Sequence, residues 1–218
     1  MKKKLLIGGC SFSEPKHGHG PWHPWTDQFV KEYKDEWDVT NTSQGSIGNA
    51  IITQNIVDNI LKGDRPDLVI VQWSAIGRAY SHNETDFIGR LLKEKNALQF
   101  APHMGEYISQ DDRAGWVTNM VDTISDNFYQ SSLVSMIGLQ SFLNEKQIPY
   151  IFFWGWCQFN DDLRTKFRYY LDLLYNERWW NPTGSMSSFI QRKYGKKGIM
   201  GGGDFHPNNL GQRYFYEK

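Results

Sequence analysis

Short apolar runs alternate with amphipathic stretches along the whole chain. Lys4 to Gly8 is apolar enough to predict a short buried strand. Residues 14–24, EPKHGHGPWHP, are rich in Gly, Pro and His and predict a loop. Trp25 to Tyr33 sets Phe29, Val30 and Tyr33 on one helical face, with Thr26 as the expected cap. WDVTN, residues 37–41, predicts a second strand, and TSQGSIG, 42–48, the loop that leaves it. Asn49 to Leu61 predicts a helix whose stripe is Ile52, Ile56, Val57 and Ile60. After GDRP comes DLVIVQW, Asp67 to Trp73, the unbroken apolar pattern of a strand covered on both faces.

From Ser74 to about Trp116 no strong period is visible, which predicts an insertion of irregular structure that serves a function or carries small helices. Val117 to Lys146 is the longest helical pattern, with Val121, Ile124, Phe128, Val134, Gly138 and Phe142 toward one face. IPYIFFWGW, 148–156, predicts the fourth strand, and 158–197 short helices and loops. A last helix is expected after Pro207. Alternating strands and helices predict one domain, residues 1–218, built as a doubly wound parallel sheet with helices on both faces. Ligands bind beyond the carboxyl ends of such strands. Ser11, Gly45, Ser74 and Gly155 each follow a predicted strand, so four loops should converge there.

Composition narrows the function. Of 218 residues, 39% are hydrophobic and 22% charged, enough for a packed core. Lys and Arg total 24 and so do Asp and Glu, a balance that argues against a nucleic-acid partner. No apolar run approaches the ~20 residues of a membrane span, so no membrane partner is expected. MKKKLLIGGC resembles a signal peptide only superficially: Leu5 to Ile7 is far shorter than the ~7–15 apolar residues such a segment needs, and cytoplasmic synthesis is expected. Two cysteines, Cys10 and Cys157, make no disulfide framework. Nine tryptophans include Trp22, Trp25, Trp116, Trp154, Trp156, Trp179 and Trp180, which either pack under long loops or form a stacking surface for a flat ligand such as a sugar.

Four blocks carry candidate chemistry: Gly9-Cys10-Ser11-Phe12-Ser13, Asn41 to Asn49 (NTSQGSIGN), Gln72-Trp73-Ser74, and Asp204-Phe205-His206-Pro207-Asn208. In this order they resemble the SGNH (GDSL-type) hydrolase superfamily, and their wording is similar to bacteriophage and environmental members. The resemblance implies a flavodoxin-like three-layer α/β/α sandwich. It implies Ser11 as nucleophile, His206 as general base and Asp204 as the carboxylate that orients it. The backbone N–H groups of Ser11 and of Gly45 or Ser46 would form the oxyanion hole. The chemistry is coherent, because a serine hydroxyl needs a base to take its proton and the base needs a fixed tautomer.

Three departures stand out. Cys10 replaces the family's aspartate and is a rival nucleophile, though its side chain should point into the fold. Asp204-x-His206 is one residue shorter than the usual spacing. QWSAIGR replaces the block that holds the family's asparagine, so Ser74, Gln72 or the insertion must supply that donor, or the hole has two donors only. Ser74, Asn49, Arg78, Trp73 and Trp22 are candidate substrate-binding residues. His17, His19 and His23 form a cluster that could bind zinc but more simply lines the cleft mouth or faces solvent, and no metal or cofactor is expected. Asp111 and Asp112 read as a solvated turn. The expected activity is hydrolysis of an ester, such as an O-acetyl on a carbohydrate, with a small molecule or glycan ester as partner. The alternative is a weak or inactive protein of the same fold that binds glycans or serves assembly.

Overall fold

The computed structural model describes residues 2–15, 24–45, 47–63, 65–76, 110–155, 161–199 and 206–217. For 110–125 and Phe128 it describes only the backbone. Four parallel strands form the sheet in the order β2-β1-β3-β4: β1 is Lys3–Gly9, β2 Trp37–Asn41, β3 Leu68–Trp73 and β4 Tyr150–Trp154. Gly9 lies opposite Gln72 and Trp73 opposite Trp154. The strand interiors are those the apolar runs predicted: Leu5, Leu6, Ile7, Val69, Val71, Trp73, Phe152 and Trp154 are buried. β2 is the exception, alternating half-buried and exposed positions as an edge strand does. The other edge is covered: Phe152 N–H donates to Arg178 O and Trp180 N–H to Phe152 O, both at 2.9 Å, so residues 178–180 stand where a fifth strand would.

Parallel strands need crossovers, and right-handed crossovers fix the faces. The chain steps from β1 to β2 through α1 (Trp25–Tyr33), then reverses direction through α2 (Asn49–Leu61) to β3. Reversal puts α1 and α2 on opposite faces. The step to β4 continues the second direction, so α3 (Gln110–Glu145) packs beside α2. α4 (Asp161–Lys166) and α5 (Arg168–Leu174) follow, with α5 against α3. α6 (Met186–Tyr194), a 3-10 turn at Gly195–Gly198 and α7 (Asn209–Tyr216) join the α1 layer. The result is a three-layer α/β/α sandwich.

Several expectations need correction. Helical structure begins at Gln110, so the irregular insertion ends before residue 116 and Asp111 and Asp112 are helical. On α3 the buried stripe is Leu133, Met136, Leu139 and Leu143, while Val134 is exposed. Val30 is exposed too, and Thr26 caps nothing: Pro24 holds the cap position and the Thr26 hydroxyl donates to Ser13 O. Among the tryptophans, Trp25, Trp154 and Trp179 are core residues, which favours packing over a stacking surface. Trp22 and Trp156 lie outside the described residues, as does the Trp116 side chain.

Gly155, just after β4, is a glycine for steric reasons. A Cβ there would stand 1.9 Å from Gln72 Nε2. That amide is buried and hydrogen-bonded, so it cannot swing aside. Gly155→Ala is expected to lower stability by about 1–3 kcal/mol, the usual cost of overpacking. Thermal melting should show a midpoint lower by several degrees; an unchanged midpoint would contradict the crowding.

Candidate active site

The order β2-β1-β3 makes β1 the point at which the winding reverses, and the crevice of a doubly wound sheet opens there. Ser11 leaves β1 on a tight turn closed by Ser13 N–H to Cys10 O at 2.9 Å. Ser11 Oγ lies 2.6 Å from His206 Nε2, across 195 residues of chain. With the ring proton on Nδ1, Nε2 accepts from the hydroxyl, the arrangement a general base requires. The ring of Phe12 meets the imidazole edge-on, with centroids 4.9 Å apart.

Both partners are held by buried polar side chains. Gln72, wholly buried on β3, accepts through Oε1 from Cys10 N–H and from Ser13 Oγ, each at 3.2 Å. Its Nε2 donates to Trp73 O at 2.7 Å. Trp25 Nε1–H donates to Ser13 Oγ, and Asn41 Nδ2 and Thr26 Oγ1 donate to Ser13 O. The turn therefore cannot rotate without breaking a buried network. The imidazole end is anchored by α7. Asn208 caps that helix by accepting from Gly211 N–H, and its Nδ2 donates to Lys197 O and Ile199 O. Pro207 bridges Ile199. Gly211 lets α7 approach so closely that a Cβ would lie 2.3 Å from Gly198 O.

Gln212 connects the two ends. It is fully buried on α7, accepts from Trp25 N–H at 3.0 Å and donates to Phe12 O at 3.4 Å. Tyr216, one turn on, donates to Glu32 at 2.6 Å and pins α7 to α1; burial and then the Glu32 carboxylate push its phenol well above the ordinary range. Nothing in the sequence reading marked Gln212. The only available signal was a glutamine on a short amphipathic helix, which is usually a surface residue.

The remaining candidates divide. Gly45 follows Gln44, whose N–H donates to Gly9 O at 3.1 Å, so the loop after β2 runs beside the end of β1. Asn49 and Ser74 are brought together and buried: Ser74 N–H donates to Asn49 Oδ1 at 2.8 Å. Trp73 is a correction, because it is wholly buried with its ring edge-on to Phe152 and belongs to the core rather than to a binding surface. Cys10 is buried, and its Sγ lies 3.4 Å from Gln72 Oε1, as expected for a residue pointing inward. Asp204, Ser46, Arg78, Trp22, His17, His19 and His23 lie outside the described residues. Among the described residues no cluster suited to a metal ion occurs, and no helix is long and apolar enough to cross a membrane. A groove of about 580 Å³, lined by residues that include Trp25, Phe29, Phe153, Trp180 and Phe215, touches neither Ser11 nor His206.

The backbone is similar to the crystal structure of TesA, with a TM-score of 0.55 and 14% identity over 99% of this chain and 94% of that one. The chain has an SGNH/GDSL hydrolase-like fold. The protein YXIM from Bacillus subtilis aligns over 100% of this chain and 55% of its own length, with a TM-score of 0.53 and 14% identity. A member of the lipolytic G-D-S-L family from Veillonella parvula aligns with a TM-score of 0.40 and 12% identity over 99% of this chain and 94% of that one. No family model and no curated protein matches the sequence. The likeness is one of fold, and the geometry around Ser11 is this chain's own.

Removing the Gln212 amide strands two buried partners, Trp25 N–H and Phe12 O. Gln212→Leu should cost about 1–3 kcal/mol of stability. It should also slow phosphonylation of Ser11 by a fluorophosphonate roughly 10–100-fold, because displacing a base by about 1 Å has that effect. Labelling at the wild-type rate in the folded variant would show that α7 is positioned without it.

Proposed function

We propose that this protein is a serine esterase in which Ser11 is the nucleophile and His206 the general base. The observation that carries the reading is the 2.6 Å approach of Ser11 Oγ to His206 Nε2 in an SGNH-type fold. In the first half-reaction Ser11 Oγ attacks the ester carbonyl carbon while its proton passes to Nε2. The tetrahedral intermediate then breaks the carbon–oxygen bond to the alcohol, which leaves with the proton from Nε2. In the second half water attacks the acyl-serine carbonyl and gives its proton to Nε2. The tetrahedral species collapses, Ser11 Oγ regains that proton, and the carboxylic acid leaves. Asp204 is the proposed carboxylate that holds the imidazolium, on the strength of its position in the fourth block.

A short acyl group such as acetyl is the proposed substrate class. The apolar groove that could take a long chain is lined by neither member of the pair. A carbohydrate as the alcohol half was suggested by the tryptophans, and those described as core residues, Trp25, Trp154 and Trp179, lend it no support.

Wild-type protein should hydrolyse p-nitrophenyl acetate and be labelled at Ser11 by a fluorophosphonate. Ser11→Ala and His206→Ala should each lower kcat by about 10⁴–10⁶-fold, the scale of loss when a triad member is removed. Absence of both hydrolysis and Ser11 labelling in folded wild-type protein would instead support the non-catalytic reading.

A further inference from the structure

We infer that the side-chain amide of Asn49 donates to the oxyanion, replacing from α2 the asparagine that the segment after β3 lacks. The inference rests on the esterase reading and assigns the missing donor of that same site.

Asn49 is wholly buried, and its Nδ2 has no hydrogen-bond partner. A buried amide left unpaired costs about 1–3 kcal/mol, so such a group calls for a cause. Its orientation is not arbitrary. Ser74 N–H can only donate, so the atom facing it at 2.8 Å is Oδ1, and Nδ2 is forced to the other side of the carboxamide. Six buried side-chain atoms lack partners among the described residues. Three of them, Ser43 Oγ, Asn49 Nδ2 and Ser74 Oγ, belong to the two segments that flank the end of β1 outside the aromatic core. Unsatisfied polarity is concentrated where the fold opens its crevice.

Two independent measures place Asn49 at the end of the sheet from which Ser11 leaves. The first is strand register. Gly9 faces Gln72 at the last pair of the two strands, so the turn that carries Ser11 and the segment that opens with Ser74, the residue that holds Asn49, leave neighbouring strand ends. The second is the path of α2. Ile52 and Ile56 pack over Gly8, where an added Cβ would lie 3.6 Å from Ile52 Cγ2 and 2.5 Å from Ile56 Cδ1. A crossover helix runs antiparallel to its strands. From the middle of that contact back to Asn49 is about 7 Å at ~1.5 Å per residue. From Gly8 forward to Ser11 is at most about 10 Å at ~3.3 Å per residue, because the chain turns after Gly9. Asn49 also opens α2, whose first-turn N–H groups add a positive field for an alkoxide. Asn49 is itself shielded from solvent, which raises the value of its donor.

The test compares wild type with Asn49→Asp in p-nitrophenyl acetate hydrolysis, in inhibition by phenylboronic acid and in thermal melting. Aspartate keeps the volume and the oxygen for Ser74 N–H but removes the donor. We expect kcat to fall by about 10²–10³ with KM nearly unchanged, the effect of losing one oxyanion donor. The boronate, whose tetrahedral serine adduct is anionic, should bind at least about tenfold more weakly for the same reason. A variant with wild-type kcat overturns the inference while leaving the esterase intact. So does a loss of kcat with unchanged boronate affinity, which would mark a structural link only. Should Asn49→Asp fail to fold, Asn49→Ser takes its place with the same readouts, and misfolding of both overturns the inference. Wild-type protein with no Ser11-dependent hydrolysis or labelling fails earlier and removes the esterase reading as well.

Discussion

A hydroxyl at the end of the first strand meets an imidazole near the chain's far end only if the terminal helix is locked against the first turn. Gln212 is that lock. Its amide spans α7, the start of α1 and the turn at Phe12, three segments that share no local sequence. It is fully buried, so each of its bonds is made without competition from water. On the other side of the turn, Gln72 performs the matching task from β3. Two buried glutamines thus hold the turn of Ser11, the proposed nucleophile, between the sheet and the last helix. Either one left unsatisfied would cost more than an apolar residue in its place, so the pair is sustained by complete bonding rather than by burial alone.

The same logic separates structure from function among the buried polar atoms. Ser13 is wholly buried, and its hydroxyl and carbonyl both have partners. Asn41, Thr42 and Asn208 are likewise bonded: Asn41 accepts from Ser43 N–H, Thr42 donates to Ile7 O on β1 and Asn208 donates to Ile199 O. Against that background, unpartnered groups at Asn49 and Ser74 are departures from a rule kept a few residues away. A site that must receive an oxygen from outside needs some donors left free, and close packing around them is what keeps water from filling the place.

Much of the sheet was legible because burial on both faces leaves a plain mark: an unbroken apolar run such as LVIVQW reads as a strand whatever surrounds it. Winding followed from strand and helix alternation with right-handed crossovers. Helix faces were harder. Val134 and Leu133 are neighbours in sequence and differ by one step around α3, and only tertiary packing decides that Leu133 faces the core. Ser11 and His206 were legible through block order, since the sheet fixes where strand ends meet. Gln212 was not, because its partners are backbone groups about 190 and 200 residues away and backbone carries no sequence signal. The tryptophans misled for a related reason: rings that interrupt polar stretches pack edge-on with one another, as Trp154, Trp179 and Tyr175 do, and nothing local distinguishes that from an exposed platform.

A donor's position matters to a developing alkoxide, and its place in the chain does not. At the reversal of a doubly wound sheet, the loop after the central strand is flanked on one side by the neighbouring strand's end and on the other by the helix that crosses to it. Here those are Ser74 and the first turn of α2, and a hydrogen bond already joins them. A carboxamide rooted in either element reaches the same space, so an asparagine can pass from strand end to helix start without moving its amide far. The exchange asks for two things: a backbone N–H to hold the carbonyl end, and a helix start close enough to the central strand. Ser74 supplies the first. Gly8, which leaves room for Ile52 and Ile56 to seat α2 against β1, supplies the second.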